Sequence, residues 1–390
     1  MSSANKSIMP VQAPTSRPGG TSKRPTLSVI IPVYNGTDYL QQCLAALTAS
    51  TYDDFDVLVV DDGSTEPVEP LVMAYSLGYL RLDGPRGPAC ARNRGAAHAK
   101  GQYLVFLDAD VCVHPDTLAR VAAAFAADPQ LDAVIGCYNE APAAPNFLSR
   151  YKNLFHHYMH HACNGDISTF WSGCGAVKRE LFLAFGGFDE RRYRRPAIED
   201  IELGTWMSVA GHRIVLDNQI KVQHLKRWSL WSLLKTDIVD RGLPWVHLML
   251  RVGTITTTLN VQPTQRLSVV LVYLMILLSL CAMGHAVAWL GAGALACIVT
   301  AVNWDFYRYL TKLSGIWFTM RVIPLHWLYF GYCGLCVIWG TLLYCLTSDP
   351  RHSGGDMPPA ALVVTEWERE RDRLGSPTAE GVHHAERHYR

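Results

Sequence analysis

The sequence predicts an α/β domain built on a mainly parallel sheet, followed by α-helices that lie on and in a membrane. Three observations predict it. Short apolar, β-branched runs in the N-terminal part end in acids or turn residues. Leucines at helical spacing separate the first two of these runs. The last third contains two long stretches without a single Lys, Arg, Asp or Glu. At 390 residues and 49% hydrophobic content, the chain exceeds one typical domain and has apolar material beyond one core.

In chain order, residues 1–25 are rich in Ser, Pro, Thr and Gly and lack the apolar segment of a secretory signal, which predicts a disordered tail. Leu27–Ile31 reads as a buried strand stopped by Pro32 and followed by an Asn35-Gly36 turn, with Thr37 or Asp38 capping a helix that carries Leu40, Leu44 and Leu47. Phe55–Val60 reads as the next strand and ends in Asp61-Asp62-Gly63-Ser64, completing a βαβ unit. Further strands are expected at Tyr103–Leu107, which runs into Asp108-Ala109-Asp110, and at Leu131–Cys137. Helices on both faces make the economical fold, and ligands in such sheets bind beyond the carboxyl ends of the strands.

From Trp228 to Leu250 aromatic and aliphatic residues mix with Lys235 and Arg241, the composition of interfacial helices, and residues 229–265 are assigned to them. Residues 266–347 form the membrane region. A hairpin is expected at Leu267–Val302, an interfacial helix at Phe306–Met320 and a further span at Val322–Leu346; a pair of buried core helices is the competing reading. Arg308, Lys312 and Arg321 then face the cytoplasm, as does the large polar region. A polar tail, 348–390, ends the chain; three crossings would export it and a re-entrant last segment would keep it inside. Eleven cysteines without paired spacing argue against a disulfide framework, and Cys333-x-x-Cys336 in an apolar span serves helix packing, since a zinc site wants a second pair. A net charge of +1 supports no nucleic-acid partner.

Chemistry concentrates at the strand ends. Two acids one residue apart, Asp108 and Asp110, can serve a hard cation and sugar or ribose hydroxyls together. Tyr34-Asn35 and Asp61-Asp62 converge on the same sheet edge. The segments Ile31-Pro32-Val33-Tyr34-Asn35, Val60-Asp61-Asp62-Gly63-Ser64, Ala91-Arg92-Asn93-Arg94-Gly95 and Asp108-Ala109-Asp110, in this order, resemble a family 2 glycosyltransferase of the Rossmann-like GT-A fold. The likeness covers about Leu27 to Trp228, so the catalytic domain is set at 26–228.

The resemblance implies that Pro32, Tyr34 and Asp62 contact the nucleotide, that Asp61 supports their loop, and that Arg92 and Asn93 lie close to the donor. It implies that Asp110 binds Mg²⁺ or Mn²⁺ and that Asp108 reaches the donor or joins the metal. A solvated helix face is the plainer account of Arg92 and Arg94. Within Pro196–Leu203 it makes Asp200 the base that deprotonates the acceptor hydroxyl, with Glu199 supporting the site or binding acceptor; the plainer account is a helix start, which favours acids. Trp171, between glycines, is expected on the acceptor side or in the core. His224-x-x-Arg227-Trp228 resembles the QxxRW element of membrane-bound polysaccharide synthases with His in first place. That change lets His224 complete a metal shell, with Arg227 and Trp228 toward the acceptor, and argues against a processive polymerase.

The expected function is an inverting, metal-dependent transfer of a sugar from a nucleotide-diphosphate donor to a lipid or lipid-linked acceptor at the cytoplasmic membrane face. Polysaccharide synthesis is the neighbouring alternative, and a non-catalytic nucleotide-sugar-binding scaffold is the alternative from another class. Asp62, Asp108, Asp110 and Asp200 argue against a scaffold, which has no need of so many carboxylates facing one cleft.

Overall fold

The computed structural model describes residues 25–253, 259–281 and 287–347. The expected tails, 1–25 and 348–390, lie outside these residues except for Pro25. The chain opens with β1 (Leu27–Val33), α1 (Thr37–Thr48), β2 (Phe55–Asp61), α2 (Val68–Ala74), β3 (Gly78–Arg81), α3 (Pro88–His98) and β4 (Tyr103–Leu107). Here β1 pairs in parallel with β2 and β4, and β2 with β3. There follow β5 (Val111–Val113), α4 (Thr117–Ala127), β6 (Ala133–Tyr138), α5 (Phe147–His161), β7 (Gly165–Ile167), β8 (Cys174–Lys178), α6 (Arg179–Ala184), α7 (Glu199–Val209) and β9 (Ile214–His224). The sheet order is β3-β2-β1-β4-β8-β6-β9-β5, with β7 on β9. The added strand β8 runs antiparallel between β4 and β6, while β6 and β9 are parallel.

β1 is buried along its whole length because helices cover both faces of the sheet. Leu27, Val29, Ile31 and Val33 pack with Leu40, Leu44 and Leu47 of α1 and with Leu118 and Val121 of α4. Ile30, from the opposite face, packs with Ala91 and Ala96 of α3, Phe182 of α6 and Met207 of α7. Two boundaries differ from expectation. Pro32 continues β1 rather than stopping it: Val33 and Leu27 hydrogen-bond toward β2, so by alternation Pro32 points toward β4, whose pairing with β1 ends at Ile30. No ladder bond is lost there, and proline is tolerated. Thr37 does not cap α1 with its side chain; the cap position is Gly36 at φ 78°, and the Thr37 N–H is satisfied by Glu66 Oε2 at 2.9 Å.

A helical layer completes the described chain: α8 (Leu230–Lys235), a π-helical segment Thr236–Gly242, α9 (Leu243–Val252), a 3₁₀ turn Leu259–Val261, α10 (Pro263–Cys281), α11 (Val287–Val302), α12 (Trp304–Ser314) and α13 (Ile316–Thr347). α10 and the Ile316–Leu346 part of α13 are long and apolar enough to cross a membrane. α11 and α12, bent by 68°, would add a third span if taken together. The expected helix Phe306–Met320 is not one element, because Gly315 at φ 82° breaks it and starts α13. The charge-free run 322–346 is therefore the later part of a longer helix that also holds Arg321 and Pro324.

α5, not singled out in the sequence, ties the two layers together. Tyr151, Leu154, Phe155 and Met159 pack with Phe306, Val322 and Phe330 of the helical layer. On its other side Asn153 donates to Asn139 O at 2.8 Å, and His160 meets Gly136 O at 3.1 Å, at the end of β6 and within it.

Candidate active site

The loops after β1 and β2 are knitted into one surface. Asn35 Oδ1 accepts from Thr65 N at 2.9 Å, and Asn35 N donates to Ser64 Oγ at 2.8 Å. Asp61 is buried and accepts from Ser64 N at 2.7 Å and Tyr79 Oη at 2.8 Å, and pairs with Arg81. Asp62 accepts from Arg86 N at 2.8 Å and Gly87 N at 2.7 Å, which holds the start of α3 against the β2 loop. Burial raises the Asp62 carboxyl above its usual range, and those two N–H groups oppose it.

Arg92 is the electrostatic centre. Its buried guanidinium reaches Asp108 Oδ1 at 2.6 Å and Glu199 Oε1 at 2.8 Å, joining α3, the end of β4 and the start of α7. Burial raises the Asp108 carboxyl; Arg92 opposes this, while the nearby Asp110 and Asp200 add to it. Asp110 lies beyond β4, and its carboxylate stands 3.5 Å from His224 Nε2 at the end of β9. Burial raises the Asp110 carboxyl, but the neighbouring His224 and Lys226 side chains outweigh it and leave it lowered from its ordinary value. Four rings continue from there: His224 stacks on Tyr138 at 4.5 Å, Tyr138 meets His156 at 4.2 Å, and His156 stacks on His160 at 3.9 Å. Trp171 stands edge-on to Tyr138 and to His160. Burial pulls the His160 imidazole down to about 4 and holds His156 well below its ordinary value, so both are neutral at pH 7.

Asp200, in the first turn of α7, is held by three donors. Ser172 N at 2.8 Å and Ser172 Oγ at 2.9 Å reach Oδ2, and Ile201 N at 2.8 Å reaches Oδ1. A carboxylate has about four acceptor sites, so one remains for a ligand. Two cavities meet here. One, of about 440 Å³, is lined by Asp108, Asp110, Tyr138, His224 and Trp228. The other, of about 260 Å³, is lined by Asp200, Trp245 and Met249 of α9, Val269 of α10, and Tyr329 and Cys336 of α13. Lys152, His156, Trp171, Ala197 and Arg241 belong to both walls.

Residues 28–185, which carry β1 through α6, match the family model described as Glycosyl transferase family 2. This segment is a family 2 glycosyltransferase domain. It is 40% identical over 107 residues to glycosyltransferase AglE of Haloferax volcanii, covering 26% of this chain and 35% of that one. It is 38% identical over 138 residues to validoxylamine A glucosyltransferase of Streptomyces hygroscopicus subsp. jinggangensis, covering 33% of this chain and 32% of that one. The alignments thus span about a third of these relatives' length. The mannosyltransferase PcManGT of Pyrobaculum calidifontis, solved with GDP-Man and Mn²⁺, shares the fold over 86% of this chain and 91% of its own, with TM-score 0.50 and 18% identity.

The fold brings Asp108, Asp110, His224, Arg92, Glu199, Asp200 and Trp171 together. Several expectations need correction. Asn93 lines neither cavity: its amide donates to Phe188 O at 2.8 Å and accepts from Phe188 N at 2.9 Å, clamping the loop before α7. Arg92 is no solvated helix face; it is buried between two carboxylates. Trp228 lines the cavity of Asp110 and His224 rather than the one reaching α13, and Arg227 is exposed and lines neither. Pro32, Tyr34, Asp61 and Asp62 also line neither cavity; they form the loop surface at the ends of β1 and β2, with Tyr34 exposed. Sequence reasoning missed Tyr138, His156 and Ser172. The His156-His157-x-x-His160-His161 run in α5 was the available signal.

Proposed function

We propose that this glycosyltransferase moves a sugar, with inversion, from a nucleotide-diphosphate donor to a lipid or lipid-linked acceptor at the cytoplasmic membrane face. The observation that carries the reading is the pair of adjoining cavities, one holding Asp108 and Asp110, the other running from Asp200 to helices long and apolar enough to cross a membrane. A diphosphate fits the first, with the nucleotide end toward Tyr34 and the Asp61-Asp62 loop. An apolar chain entering between α10 and α13 fits the second and brings its hydroxyl toward Asp200.

Asp110 and His224 offer a divalent cation two ligands; among the described residues no group of three or more His, Cys, Asp or Glu is gathered to hold a metal, so the remaining ligands would be diphosphate oxygens and water. Asp110 and His224 open into one cavity 3.5 Å apart, and an oxygen and an imidazole nitrogen are acceptable ligands for Mn²⁺ or Mg²⁺. Asp108 has one oxygen committed to Arg92 and is the weaker candidate. A cation held by Asp110 and His224 would supply charge that favours departure of the diphosphate. Asp200, oriented by Ser172 and Ile201, takes the hydroxyl proton as the acceptor attacks the anomeric carbon from the face opposite the leaving group. Arg92 fixes Asp108 relative to Glu199, and so the donor side relative to α7.

The test is to incubate the full chain in lipid membranes with Mn²⁺ and a panel of nucleotide-diphosphate sugars. Mass spectrometry of the extracted lipids should show one lipid species gaining a hexose-type mass with one donor; label confined to water-soluble products would overturn the lipid acceptor.

A further inference from the structure

Four cations on the wall of the Asp110 cavity, Arg195, Lys226, Lys235 and Arg241, have no ion pair among the described residues. The fifth, Lys152, is committed to Asp237 at 2.5 and 2.8 Å. Of the three carboxylates on that wall, Asp108 is paired with Arg92, which leaves Asp110 and Asp240. The wall therefore carries an excess of positive charge, although the chain as a whole stands at only +1. A cleft lined by an excess of one charge concentrates ligands of the other.

Two of these cations are set at the reaction centre. Arg241 belongs to the walls of both cavities and so stands at their junction. It is carried on the π-helical segment Thr236–Gly242, a form of helix frequent at functional sites, and the backbone on either side of it is pinned. Asp237 accepts from Lys152 and, at 2.7 Å, from Tyr332 Oη of α13. Gly242 packs so closely on the same helix that a Cβ there would lie 2.6 Å from Cys336 Sγ. Arg241 itself is exposed and unpaired among the described residues. Lys226 enters the cavity from just beyond β9. Its ammonium lies 4.4 Å from the centre of the Trp228 ring, and its charge bears on Asp110. Both residues lie outside 28–185, the segment that the family model matches.

We infer that Arg241, from the helical layer, and Lys226, from the end of β9, hold the donor's diphosphate and stabilise it as it leaves; the inference rests on the donor reading above. In that step the bond between the anomeric carbon and the β-phosphate oxygen breaks, and its electron pair stays on the oxygen. The acceptor oxygen bonds to the carbon and gives its proton to Asp200. The diphosphate gains one negative charge, so fixed cations hold it more strongly once departure has begun than before. A guanidinium fork pairs with two phosphate oxygens, and an ammonium serves as a point charge.

The experiment uses the full chain purified in a neutral detergent, with Mn²⁺ and without nucleotide sugar or acceptor. Binding of UDP, GDP, ADP, CDP and dTDP is followed by calorimetry. For the diphosphate that binds best, Arg241→Gln and Lys226→Gln should each weaken binding about tenfold or more. Arg241→Lys, which keeps the charge but not the fork, should fall between Arg241→Gln and wild type. The nucleoside monophosphate of the same base should lose less affinity in each variant. Arg308→Gln, an equal change of charge on the exposed side of α12, should bind as wild type does. Circular dichroism confirms that the variants are folded. Unchanged affinity in folded Arg241→Gln and Lys226→Gln, or an equal loss for monophosphate and diphosphate, would overturn the assignment and leave the donor reading standing. A wild type that binds none of these diphosphates would overturn both together.

Discussion

Arg92 and Glu199 stand 107 positions apart in the chain and meet at 2.8 Å, both side chains about 5% exposed. The same guanidinium holds Asp108, so one buried cation fixes the end of β4 to the start of α7. Removing Glu199 leaves the Arg92 charge half-compensated in a buried place. Glu199→Ala should cost on the order of 3 kcal/mol, Glu199→Gln clearly less, and Arg92→Lys should resemble Glu199→Ala because one ammonium cannot span both carboxylates as a fork does. Thermal unfolding of the three variants checks the order; equal stability of all three with wild type would remove the hub.

Asn93, the neighbour of Arg92, should behave differently. Asn93→Ala strips two hydrogen bonds from the Phe188 backbone and leaves its N–H and C=O without those partners. Stability should fall by about 1–3 kcal/mol while nucleotide affinity in the folded fraction is unchanged. Calorimetry with the nucleoside diphosphate, beside a melting curve, separates the two effects.

That contrast shows what was legible. The strands β1, β2 and β4 are apolar runs bounded by turn residues, and period and composition suffice to place them and the acids at their ends. Arg92 and Asn93 are both polar and adjacent on a helix, where one residue turns the side chain by about 100°; no local signal says which faces the site. α5 was hidden for a related reason. Its sequence scatters His, Tyr, Asn and Lys among Leu, Phe and Met, because one side packs on the helical layer and the other hydrogen-bonds to β6. Pro32 misled because a strand-breaking residue is harmless where the neighbouring ladder has already ended.

The cation assignment predicts a graded response. His224→Ala should raise the Mn²⁺ concentration needed for donor binding about tenfold or more, and Asp110→Ala should abolish metal-dependent binding with the fold intact. A Mn²⁺ titration followed by calorimetry reads both. Wild-type metal dependence in Asp110→Ala would place the cation elsewhere.

The cavity proposed for the acceptor can be filled from α9. Met249 is half-buried on its wall, so Met249→Trp adds bulk there without opening the core. KM for the lipid acceptor should rise several-fold while donor affinity stays at the wild-type value. An equal loss in both would mean that the cavity does not serve the acceptor alone.

The most direct test is Asp200→Asn. Both Asp200 oxygens accept backbone N–H groups, so asparagine must turn its NH₂ toward one donor, from Ser172 or Ile201, at a cost of about 1–3 kcal/mol; the folded fraction is therefore measured first. Radiolabelled sugar entering the lipid extract is then followed for wild type and variant at matched donor occupancy. The account predicts donor binding near wild type and transfer reduced by about 10²–10⁴. Transfer at the wild-type rate in the donor-bound variant would contradict it and remove Asp200 as the base.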